Sequence, residues 1–68
     1  MKTGVVKIWD KEKNYGFITT DEDDDLFVHM RDLHTSIKAK RLFEGQRVTF
    51  DIRSDMKGDR AVNVRVTK

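Results

Sequence analysis

Short runs of alternating apolar and polar residues along this chain predict five β-strands and no long helix. Gly4-Val5-Val6-Lys7-Ile8-Trp9 reads as the first, ended by the polar turn Asp10-Lys11-Glu12-Lys13-Asn14. The second runs from about Tyr15 to Thr20 and the third from Leu26 to Met30, with the acidic run Asp21-Glu22-Asp23-Asp24-Asp25 as the loop between them. The stretch from Arg31 to Glu44 suits neither period. Leu33 and Ile37 are four apart, but Lys38, Lys40 and Arg41 break the stripe, so a helical turn near Arg31-Asp32-Leu33-His34 should lead into an irregular basic loop. Phe43, beside Leu42, is expected in the core or as a barrel plug. After the turn signal Glu44-Gly45-Gln46, the segment from Arg47 to Arg53 alternates cleanly, with Val48, Phe50 and Ile52 inward. Ser54 to Asp59 forms the next loop, and the last strand sets Val62, Val64 and Val66 on one side.

Two of these strands are written the wrong way round for a plain core. Tyr15 and Phe17 share the face opposite Ile18, and Phe27 and His29 share the face opposite Leu26 and Val28, because successive side chains of a strand point to opposite sides. If the two strands pair antiparallel, Tyr15, Phe17, Phe27 and His29 form one patch of flat rings outside the aliphatic core. Water tolerates such a patch poorly, so a partner should cover it. Unpaired nucleobases fit, since each base stacked on an aromatic ring contributes about 1–3 kcal/mol with little dependence on sequence. Lys7 and Lys13 flank the patch and would meet phosphates. The alternatives are that the rings cover a second core layer or a dimer contact, or that the chain is a protein-interaction or assembly module whose aromatic face meets another polypeptide.

Length fits a single domain over residues 1–68. A chain this short hides only about 60% of the surface it exposes when unfolded. Five short strands are few for a sandwich and point to a small barrel, whose closure also removes sheet edges. With no cysteine, neither disulfides nor a thiolate-bound metal can supplement the core, and a reducing, cytoplasmic setting is expected. No apolar run approaches a membrane span.

Charge matters more by location than by sum. The net charge is +2, but five of the 12 acids lie in the run from Asp21 to Asp25, and the remainder of the chain carries seven acids against 14 bases. A basic body with one acidic loop suits a polyanion partner. Within the run, Asp21, Asp23 and Asp25 have the spacing that opens a calcium loop, yet Leu26 stands where glycine is required and Asp32 where a bidentate glutamate belongs. No metal or other cofactor is therefore expected. Neither a nucleophile with a paired base nor a glycine-rich phosphate loop is present, so the chain reads as a binding protein without enzymatic activity or a small-molecule substrate.

Two segments carry a resemblance to a known family. Lys13-Asn14-Tyr15-Gly16-Phe17-Ile18 resembles the first ribonucleoprotein motif of cold-shock domains, and Leu26-Phe27-Val28-His29-Met30 resembles the second. The likeness extends to Gly4-Val5-Val6-Lys7, Glu44-Gly45-Gln46 and Ala61-Val62-Asn63-Val64. It implies an all-β, five-stranded antiparallel OB-fold barrel that holds single-stranded RNA or DNA on its second and third strands. By position it assigns stacking to Tyr15, Phe17, Phe27 and His29, phosphate or base-edge contacts to Lys7 and Lys13, and a base-edge hydrogen bond to Asp25. Lys57 matches a loop position that is often basic. Ile8 stands where the family usually has an exposed tryptophan and Trp9 at the neighbouring phenylalanine position, so Trp9 is carried among the binding residues. Met30 replaces a ring with a thioether that can still pack on a base. The long loop lacks the aromatic residue usual in the family and instead carries Lys38, Lys40 and Arg41, which implies backbone contacts and a stronger salt dependence. The family further implies RNA chaperone, antiterminator or transcription-regulating activity. A monomer is expected, with a dimer as the alternative.

Overall fold

The computed structural model describes residues 1–56 and 58–67. Five strands, β1 (Lys2–Asp10), β2 (Tyr15–Thr20), β3 (Asp25–His29), β4 (Arg47–Asp55) and β5 (Gly58–Val66), close into a barrel in the order β1-β2-β3-β5-β4. This is the OB-type barrel that the sequence implies. Its seams are antiparallel apart from the closing contact, where β3 and β5 run parallel at Phe27 and Arg60. Two side-chain-capped turns set the first hairpins. Asp10 Oδ1 accepts the N–H groups of Glu12 and Lys13 at 3.0 and 3.1 Å, while Thr20 Oγ1 accepts those of Glu22 and Asp24 at 3.2 and 3.1 Å. Asn14 tolerates the left-handed φ of 60° that the first of these turns needs. Among the described residues, no helix is long and apolar enough to cross a membrane.

Two irregularities decide which residues reach the core. The β1–β2 register slips between Val6 and Ile8, a bulge that turns both Val6 and Trp9 inward and leaves Lys7 and Ile8 outside. A second slip lies in β5, where Val64 and Asn63, the latter with a φ of 53°, face the single residue Phe50 of β4, and it shifts the parity of β5. Ala61 and Val64 are buried as a result, while Val62 is half-buried and Val66 exposed, which corrects the inward row Val62, Val64, Val66. Ile52 is also exposed, because the outer halves of β4 and β5 extend as a solvent-facing hairpin. The enclosed centre holds Ile18, Val28, Val48, Phe50 and Val64.

From the long loop only one of two adjacent apolar residues can turn inward, and Leu42 does so. Phe43, expected in the core, is instead 50% exposed, with the Arg41 guanidinium 4.2 Å from its ring centroid. The helical turn forms at Met30–Asp32, and Leu33 and Ile37 behind it pack against the core. The acidic loop is tethered to the barrel by Lys2–Glu22 at 3.3 Å, Arg47–Asp21 at 3.1 Å and the Thr3 hydroxyl donating to Asp21. Such exposed ion pairs contribute about 0.2–1 kcal/mol each.

Candidate nucleic-acid interface

The β2–β3 register places the four ring residues opposite one another in pairs, Tyr15 with His29 and Phe17 with Phe27. Between them Gly16, Ile18, Leu26 and Val28 face the core, so the inverted alternation read from the sequence holds in the fold. Phe27 is central. Its ring centroid lies 5.5 Å from that of Tyr15, tilted by 33°, and 5.9 Å from that of Phe17 in an edge contact at 76°. Phe17 is 38% exposed, and Tyr15, Phe27 and His29 are half-buried against one another, so the strip presents ring surface to solvent. His29 is fixed at its end by the cap of the helical turn, where its Nδ1 accepts the Arg31 N–H at 3.1 Å.

At the other end the β1 bulge sets Ile8 beside Phe17, and these two line a hollow with Lys7 and Asp25. Lys7 donates to Asp25 at 3.0 Å and the Thr19 hydroxyl donates to the same carboxylate at 2.9 Å. These two bonds, the lysine's first, hold the Asp25 carboxyl below its ordinary range. A carboxylate whose folded pKa is depressed adds stability that is fully present above its unfolded pKa of about 4 and is lost as pH falls through the lower folded value. The melting-temperature gap between the native chain and Asp25→Asn should therefore stay constant from neutral pH to about 5 and close below about 4. A gap that instead closes between pH 5 and 7 would assign it to another group.

The remaining sequence-predicted residues divide. Lys13 is exposed in the β1–β2 turn, next to the Tyr15 end of the strip. Met30 is half-buried and borders a separate hollow with Leu33, Ile37, Lys38 and Lys40, so the two loop lysines stand beyond His29 and outside the ring strip. Trp9 does not join the face: the bulge turns it into the core, where it is 7% exposed, and Ile8, 51% exposed, takes the outward position. Lys57 lies outside the described residues. Sequence reasoning missed Arg60, which the β3–β5 contact brings beside Phe27. No periodicity marks it, since that contact joins residues distant in the chain.

Residues 2–67 match the family model described as the 'Cold-shock' DNA-binding domain. Among curated relatives, Cold shock protein 1 of Lactiplantibacillus plantarum is 47% identical over 64 residues, covering 94% of this chain and 96% of the relative. Cold shock-like protein CspG of Shewanella violacea is 49% identical, with 91% and 89% covered. A cold shock-like protein of Aquifex aeolicus is 48% identical, with 93% and 90% covered. The barrel, the ring strip on β2 and β3 and these matches together place the chain in the cold-shock domain family, a family of nucleic-acid-binding proteins and not of enzymes.

Proposed function

We propose that this protein binds single-stranded RNA or DNA as a cytoplasmic monomer, stacking unpaired bases on Tyr15, Phe17, Phe27 and His29. The observation that carries this reading is a continuous ring strip left open to solvent outside an enclosed hydrophobic core. Four rings at about 1–3 kcal/mol per stacked base supply useful affinity without sequence readout. Lys13, Lys38 and Lys40, all exposed, supply charge for the backbone toward the Tyr15–His29 end of the strip. Because stacking competes with base pairing, many copies along an RNA favour its open forms, which is the logic of an RNA chaperone or antiterminator.

Anisotropy titration of labelled uridine and thymidine heptamers across a salt series tests the binding. Replacing Lys38 and Lys40 with glutamine should flatten the slope of log affinity against log salt by up to about 1.4, at about 0.7 for each phosphate no longer neutralised. An unchanged slope removes both lysines from the interface. A weak RNA hairpin that stays folded at saturating protein would count against the chaperone activity.

A further inference from the structure

Arg60 is held more firmly than a residue on an outer hairpin strand needs to be. Its Nη2 donates to Asp32 Oδ1 at 2.8 Å, and its Nη1 lies 3.7 Å from Asp55 Oδ2. Asp32 is itself buried in the helical turn, and its other oxygen accepts the His29 N–H at 3.3 Å. One enclosed carboxylate thus fixes both the backbone of a ring residue and the guanidinium beside it. Among the described residues Arg60 Nε is buried with no partner, so the donors left for a ligand are those of Nη1 and the second N–H of Nη2.

Two hollows meet at this guanidinium, and Phe27 lines both. One is completed by Phe17, Asp55, Met56 and Asp59, the other by His29 and Arg31. In the first, Asp55 stands 3.7 Å from a guanidinium already matched to Asp32 and Asp59 lines the same hollow, so a phosphate would meet like charge there. A neutral base would not. Guanine presents two adjacent acceptors, O6 and N7, to a guanidinium fork while its N1–H and N2–H groups suit a carboxylate; cytosine, whose N3 and O2 also adjoin, has only its amino group to offer a carboxylate. Adenine sets an amino donor beside N7, and uracil has no N7.

We propose that the hollow over Phe27 selects a guanine base, with Arg60 as the residue that reads it and Asp32 as the positioning residue that aims Arg60. This rests on the single-strand reading above and adds a base preference to it. Uridine heptamers carrying one central guanosine, adenosine or 7-deazaguanosine, titrated against the full chain, test it. The guanosine heptamer should bind about tenfold more tightly than the adenosine one, as a bidentate arginine contact discriminates. 7-Deazaguanosine, lacking N7, should fall toward the adenosine level. Arg60→Gln should bring guanosine and adenosine together. Because Arg60→Gln leaves the buried Asp32 carboxylate without its partner, the Asp32→Asn/Arg60→Gln pair serves as the variant with restored neutrality, and it should lose the preference too. Equal affinities for guanosine and adenosine with the native chain, or a preference that survives in both variants, would overturn the inference alone. No binding by any heptamer would overturn the single-strand reading and this inference with it.

Discussion

Phe27→Ala is expected to weaken binding of a uridine or thymidine heptamer by about 5- to 150-fold, the range that corresponds to removing one stack of about 1–3 kcal/mol. Phe27 is the position of largest effect because it touches both Tyr15 and Phe17 and lines the two hollows that meet at Arg60. Its removal should leave the barrel folded, since the ring stands outside the enclosed core and gives up two ring pairings of about 0.5–1.5 kcal/mol each. Phe17→Ala, at a more exposed ring, separates the two readings of this face more cleanly. Under the base-stacking reading it costs oligonucleotide affinity with little change in melting temperature. If the face were instead a contact with another polypeptide, heptamer affinity would stay within about twofold while the solution mass or stability changed.

The second large effect concerns folding. Gly16→Ala should remove a large part of the chain's stability, read as a marked fall in the urea midpoint. A Cβ on Gly16 points inward at the β1 bulge, where it would overlap the Ile8 carbonyl oxygen and stand 3.0 Å from both Cα and Cε3 of Trp9. The obstacle is backbone on the neighbouring strand, so relief requires β1 to pull away from β2 just where the register already slips. Overpacking of this kind costs about 1–3 kcal/mol and more when backbone must move. A chain of this length has only about 3–10 kcal/mol in hand, at about 0.05–0.15 kcal/mol per residue. Urea unfolding followed by far-UV circular dichroism and by Trp9 fluorescence measures it, and a midpoint matching the native chain would show that the strands can part without loss. Since Trp9 is a core residue, its emission suits this experiment better than it would suit a ligand titration.

The same bulge explains why some of the site was legible in the sequence and some was not. The inverted alternation of Tyr15 to Ile18 and Leu26 to His29 announced a ring face, because β2 and β3 are regular strands joined by a short turn and parity survives in them. Parity fails wherever one residue is inserted. In β1 the bulge moved Trp9 from the expected face to the core, and in β5 the irregularity at Asn63 exchanged Val62 and Val66 for Ala61. Lys7 gives the first insertion no marker in the letters, and Asn63 gives the second only a weak one, an asparagine inside a strand that tolerates left-handed backbone angles.

By itself the sequence determined the number of strands, the aliphatic and aromatic faces of β2 and β3, and the polar turns that bring those two strands together. All of these are local, set by periodicity and by side chains that cap their own backbone. Only the closed barrel decided that Ile8 and not Trp9 faces outward, that Phe43 lies against Arg41 in solvent, and that Arg60, clamped by Asp32, stands beside Phe27. Those placements depend on strand registers and on the parallel β3–β5 seam, and pairings between residues some thirty positions apart leave no period for a reader of the chain to find.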